Sequence, residues 1–160
     1  MNQFQQVSTT ELESKYKDKI INELLLEKPS RSDDGSAGYD FFAPTDFVVF
    51  PGGGKTLIWT GFKIKLASNL VLLLDTRSGN GTKKDIVLAN TIGVVDASYY
   101  NNKDNEGHIG IMLKNNGTEP FIVKKGDHFA QGIITQYFIT DDDMPRSRSR
   151  DGGFGSTDKK

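Results

Sequence analysis

An all-β fold, a jelly-roll sandwich or barrel, is what the middle of this 160-residue chain predicts. Three observations support it. Short apolar or alternating runs recur from Tyr39 to Ile139. Clusters of Gly, Asn, Asp and Pro separate them at the spacing of strands and turns. Only one segment repeats its apolar residues with a helical period, and no internal repeat is present.

That helical segment spans residues 8–27. Leu12, Tyr16, Ile20 and Leu24 recur at helical spacing, with Ile21 and Leu25 beside them. Ser8 with Glu11, or Thr10 with Glu13, makes a capping box at its start, and Pro29 stops it. A lone helix of this length is marginal in water, so it must dock. Residues 28–38 read as a loop. Strands are expected at Phe47–Phe50, Thr56–Thr60, Phe62–Leu66, Leu70–Leu74, Ile86–Leu88, Ile109–Leu113, Phe121–Val123 and Phe129–Ile139. Turns are expected at Pro51–Gly54, Ser78–Gly81, Asn101–Gly107, Asn115–Gly117 and Lys125–Asp127. The whole reads as a single domain: the helix, a β core over 36–140 and a flexible C-terminal arm over 141–160. Several strands are apolar on both faces, which points to a homo-oligomer that buries the second face.

Composition narrows the chemistry. A net charge of -1 argues against a nucleic-acid groove built on bulk basic charge. No apolar run reaches the ~20 residues that span a bilayer, and a cytoplasmic protein is the expectation. There are no cysteines and only two histidines, His108 and His128, which removes thiolate chemistry and makes a multi-histidine zinc site within one chain unexpected.

Several short constellations carry candidate chemistry, each with a plainer alternative. Arg77-Ser78-Gly79 follows an apolar strand, and a guanidinium, a hydroxyl and open amides can cradle phosphate oxygens; the alternative is an ordinary hairpin turn. In Asn90-Thr91-Ile92-Gly93-Val94-Val95-Asp96-Ala97-Ser98-Tyr99, Gly93 permits close approach or positive φ. Asp96 suits a general base, Tyr99 a flat wall, and Asn90 an imide-like edge, against an acidic turn residue beside a core tyrosine. Asp40 can hold a magnesium-bound water or brace a loop. Gln131 faces a ligand or a neighbouring strand, and His128 has no evident partner. The tail carries Arg148, Arg150, Gly152, Phe154, Gly155, Ser156 and Thr157, a set suited to a polyphosphate and a base, or to a frayed end.

In order these read Ser-Ala-Gly-Tyr-Asp from Ser36, Arg-Ser-Gly from Arg77, Asn-x-x-Gly-x-x-Asp-x-x-Tyr from Asn90, Gly-Asp-x-x-Ala-Gln from Gly126, and Arg-x-Gly-Gly-Phe-Gly-Ser-Thr from Arg150. The series resembles the five motifs of the trimeric dUTPases (deoxyuridine triphosphate nucleotidohydrolases). The N-terminal helix and the insertion Asn101–Gly107 resemble a Gram-positive bacterial and phage branch.

The resemblance implies a jelly roll and a homotrimer whose three sites lie between subunits, with the arm supplied by a third chain. It implies hydrolysis of dUTP to dUMP and pyrophosphate, with Mg²⁺ on the triphosphate, which lowers dUTP and supplies dUMP for thymidylate synthesis. Asp96 would position the attacking water, Tyr99 would stack under the deoxyribose, and Asn90 with the backbone of Gly93 and Val94 would pair with uracil. Ser78 and Gly79 would meet the α–β bridge with Arg77 and Gln131 nearby, and Asp40 would act on the metal through water. Phe154 would stack on uracil, Arg150 or Arg148 would hold the γ-phosphate, and Gly155, Ser156 and Thr157 would complete that contact. His128 stands where arginine is frequent in the family. A dCTP deaminase on the same fold is the alternative enzyme, disfavoured because that chemistry uses a glutamate base. The helix and insertion are also candidate surfaces for a regulatory protein, or plain decoration.

Overall fold

The computed structural model describes residues 1–145. Its chain order is β1 (Gln3–Gln6), α1 (Thr9–Lys15), a 3₁₀ turn (Ile21–Glu23), β2 (Gly38–Phe42), β3 (Phe47–Val49), β4 (Gly54–Trp59), β5 (Phe62–Lys65), β6 (Leu70–Thr76) and α2 (Ser78–Lys84). There follow β7 (Ile86–Leu88), β8 (Gly93–Asp96), a 3₁₀ turn (Ala97–Tyr99), β9 (Gly110–Asn115), β10 (Phe121–Val123) and β11 (His128–Gln136). All ladders are antiparallel: a four-stranded sheet β2-β11-β6-β8, a three-stranded sheet β4-β9-β7, and the pairs β1-β5 and β3-β10.

Side-chain alternation divides the four-stranded sheet. Phe41, Leu72, Leu74, Val95 and Ala130 point into a core shared with Ile58, Ile64, Ile86, Ile109, Ile111, Leu113 and Phe129. On the outer face lie Asp40, Gln131, Asp75, Leu73, Ile133, Val71, Val94 and Asp96, read from the ladder register. Ile133 and Val94 are 42% and 61% exposed, so this face is an open apolar strip with a polar group at either end.

The expected helix over 8–27 is much shorter. α1 ends at Lys15, because Tyr16 leaves helical geometry and its hydroxyl donates to the carbonyl of Trp59. Leu12 is buried, whereas Ile20 is 64% exposed, so the repeating apolar residues are not one docked stripe. Ser8 does cap the helix, accepting from Glu11 N at 3.1 Å, but the capping box is not closed. Ser8 N donates instead to Glu106 Oε2, and Glu11 is held by His108. β1 was not expected; its Phe4 is buried between Tyr39 and Phe41. The last strand stops at Gln136, short of Ile139. Among the described residues no helix is long and apolar enough to cross a membrane.

Candidate active site

At one end of the outer face, β2, β11 and the exit of β6 bring three expected residues, Asp40, Arg77 and Gln131, together with His128. Arg77 Nε lies 3.1 Å from Asp40 Oδ1, and Arg77 Nη1 donates to His128 Nδ1 at 2.5 Å. That bond requires a neutral ring with its proton on Nε2. Gln131 sits opposite both Asp40 and Asp75 in the ladders, and its Nε2 donates to the carbonyl of Thr76 at 3.2 Å. His128 therefore has a role that its motif position did not reveal: it accepts from the arginine of another motif, from its place opposite Phe42 on β2 beyond an irregularity in the β11 ladder.

The segment after Arg77 is not a hairpin turn. It is helix α2, begun when Asn80 N and Gly81 N both donate to the Arg77 carbonyl. Glycines at 79 and 81 are poor helix formers, but tertiary contacts override them. Asn80 Nδ2 reaches the carbonyl of Phe129 at 3.3 Å, and Lys83 and Lys84 stand in the last turn, where cations suit the helix dipole. Asp85, in the left-handed region at φ 54°, ends it. Ser78 and Gly79 occupy the first turn, where backbone amides lack intrahelical acceptors, and both are exposed.

At the other end, Asp96 closes β8 opposite Val71. Its Oδ1 accepts from Ser98 Oγ at 2.7 Å, and it borders a cavity of about 590 Å³ walled by Val71, Leu73, Val94 and Tyr137. Gly93 is required for packing rather than for φ: a side chain there would lie 2.9 Å from Leu74 Cβ. The positive φ falls instead on Thr91, at 67°. Asn90 is exposed on the turn before β8. β7 and β8 do not pair with each other; the turn carries the chain between two sheets, and β8 is left as an edge strand with backbone groups open on one side. Tyr99 is buried, 8% exposed, with its hydroxyl donating to the His108 carbonyl at 3.0 Å and accepting from Asn105 Nδ2 at 2.7 Å.

The two ends are not joined within one chain. Asp96 is level with Val71 and Arg77 follows Thr76, so they are separated by roughly 20 Å of strand at 3.3 Å per residue. Among the described residues no three His, Asp or Glu side chains converge to hold a metal ion. Arg148, Arg150, Phe154, Gly155, Ser156 and Thr157 lie outside the described residues.

Known proteins show the family. The family model described as dUTPase matches residues 26–158. The deoxyuridine 5'-triphosphate nucleotidohydrolase of Lactococcus lactis is 40% identical over 148 residues, covering 92% of this chain and 95% of that one. The crystal structure of the dUTPase from Streptococcus mutans superposes with a TM-score of 0.69 at 31% identity, covering 87% of this chain and 98% of that one. A mutant dUTPase of phage phi11 of Staphylococcus aureus, in which a structural Mg(II) ion is coordinated, shares the fold at 21% identity and TM-score 0.67, covering 92% and 97%.

Proposed function

The chain belongs to the dUTPase family and hydrolyses dUTP to dUMP, and from that premise we propose that its active site is completed only between subunits. The observation that carries this is the separation of Asp96 from Arg77 and Ser78 along an open apolar sheet face. A second copy covering that face would bring the Asp96 end of one chain to the Arg77 end of another, in a homotrimer.

In such a site Asp96 orients a water and accepts its proton as the oxygen attacks the α-phosphorus. The bond from the α-phosphorus to the bridging oxygen breaks, and pyrophosphate leaves. Arg77, Ser78 and the first-turn amides of α2 stabilise charge developing at the α–β bridge, with Gln131 beside them. Asn90 and the open edge of β8 at Gly93 and Val94 read the uracil edge, and Tyr99 underlies the deoxyribose. Arg150 or Arg148, with Phe154, Gly155, Ser156 and Thr157, completes the site from a third chain.

The donor set suits a metal carried by the substrate rather than one caged by protein. Asp40 is a single carboxylate already paired with Arg77, so it would hold a water of a phosphate-bound Mg²⁺, whose charge offsets that of the triphosphate. A panel of deoxynucleoside triphosphates and UTP with Mg²⁺ tests the reading. Pyrophosphate should come from dUTP alone; none from dUTP, or ammonia from dCTP, would overturn it.

A further inference from the structure

The insertion Asn101–Gly107 turns inward. Asn102 and Asn105 are 7% and 6% exposed, and both are spent on Tyr99. Asn102 Nδ2 donates to the Tyr99 carbonyl and to Asn105 Oδ1, each at 2.8 Å. Asn105 Nδ2 donates to the Tyr99 hydroxyl at 2.7 Å, and that hydroxyl donates onward to the His108 carbonyl at 3.0 Å. The other side of each asparagine is filled from the loop backbone. Asn102 Oδ1 accepts from Asp104 N and Asn105 N at 3.0 and 3.1 Å, and Asn105 Oδ1 accepts from Gly107 N at 3.1 Å. Among the described residues no buried side-chain nitrogen or oxygen lacks a partner. Gly107, at φ 80°, is forced by the same contact: a side chain there would come within 2.6 Å of the Tyr99 carbonyl oxygen.

The N-terminal segment fastens this loop from outside. Ser8 donates to Glu106 from both its amide and its hydroxyl, and Lys63 Nζ reaches Glu106 Oε2 at 3.0 Å and Asn101 Oδ1 at 2.7 Å. Tyr100 donates to Gln5 on β1, and His108, next after the insertion, bonds Glu11 on α1. The polar groups of these segments thus face one another.

We infer that the insertion, clamped by the N-terminal segment, is a brace that positions Tyr99 and so sets discrimination between deoxyribose and ribose. The inference rests on the proposed placement of Tyr99 under the sugar. An aromatic ring excludes one extra hydroxyl only if it is held within about 0.5 Å of its working position. A tyrosine has two free side-chain torsions, and anchoring the hydroxyl from both sides and the carbonyl from a third fixes the ring's tilt. Asn102 and Asn105 are positioning residues; they act through Tyr99.

The test is kcat/KM for dUTP and UTP in the full-length protein. Loss of active protein scales both substrates equally, whereas a displaced ring changes their ratio. In Asn105→Ala and in Tyr99→Phe the preference for dUTP should fall by about tenfold, a typical worth of a pocket contact in discrimination. The double variant should lose less than the product of the two single losses, because both singles remove the Asn105–Tyr99 hydrogen bond. If Asn105→Ala does not fold, Tyr99→Phe, which leaves the loop side chains in place, decides alone. Preference retained in both singles but lost in Tyr99→Ala would overturn the brace and leave the site reading standing. Preference retained in Tyr99→Ala as well would overturn the sugar assignment and the brace with it.

Discussion

The two ends of the outer sheet face are built on opposite plans. At the Arg77 end, charge is matched within the chain: Asp40 and His128 hold the guanidinium, and Gln131 is tied to Thr76. At the Asp96 end, a carboxylate borders an apolar wall of Val71, Leu73 and Val94, and the neighbouring Tyr99 is locked by a loop. In the proposed site the first end would grip anionic oxygens once they displace Asp40 from Arg77. The second suits a reactive water, because a carboxylate beside an apolar wall can orient a water and accept its proton. Neither end contains the other's function.

The largest expected effect breaks the comparison outright. Asp96→Asn should lower kcat by about 10²–10⁴-fold, as for loss of a general base, and Arg77→Ala by about 10²–10³-fold, as for loss of a charge-stabilising group. Each alone is nearly inactive. If every site takes Arg77 from one subunit and Asp96 from another, random mixing in equal amounts leaves about one quarter of sites with neither defect. Subunit exchange after partial unfolding, followed by pyrophosphate release, should therefore restore about that fraction of activity. Inactive mixtures whose exchange is verified by mass would show that both groups serve a site within one chain.

A smaller effect sharpens the Arg77 end. Asp40→Asn removes the charge that both pairs with Arg77 and would hold a metal-bound water. Half-maximal Mg²⁺ should rise by about 10–100-fold, the usual cost of losing an outer-shell partner. The dependence on Mg²⁺ is the readout, since a role confined to bracing β2 would lower activity equally at all metal concentrations.

The sequence made the two ends unequally legible. Arg77, Ser78 and Asp96 could be picked out because strand ends punctuated by Gly and Ser are local signals. The bonds that arm them are not local. His128 meets Arg77 only through the pairing of β11, past an irregularity, with β2, and Asn105 meets Tyr99 only because Gly107 lets the insertion fold back. Most strands from Phe47 to Val123 are legible, where apolar runs and turn residues agree, but β8 (Gly93–Asp96) is not. The helical period over 8–27 does not become one helix because the segment docks only in part: Trp59 takes Tyr16, and Ile20 is left in solvent. α2 was read as a turn because two glycines outweighed an asparagine anchor that only the fold provides.

The smallest effect separates the two ends by pH. His108, whose carbonyl accepts the Tyr99 hydroxyl, is completely buried, donating from Nδ1 to Glu11 at 3.0 Å and accepting the amide of Gly61 on Nε2 at 2.8 Å. Burial holds its pKa below the ordinary 6.5, opposed by Glu11 and Glu106 and aided by Lys15. A protonated ring would set Nε2–H against the Gly61 amide. Above pH 6.5 the native and unfolded states are both neutral at this residue, and its contribution to stability is complete. As pH falls below 6.5, the unfolded chain takes up a proton that the native ring resists, so stability declines by at most about 1.4 kcal/mol per pH unit until the native ring also titrates. Carboxylates held low, such as Glu106 bonded by Ser8 and Lys63, give way only at more acid pH. Between pH 6.5 and 5.5, hydrogen-exchange protection factors, which correct for the slower intrinsic exchange at lower pH, should therefore fall in the segment from Tyr99 to His108 and in α1 before they do around Asp40 and Arg77. His108→Gln should flatten that dependence. Equal loss of protection at both ends would mean that the sheet face opens as one unit, and that the clasp at the N-terminus adds no local stability of its own.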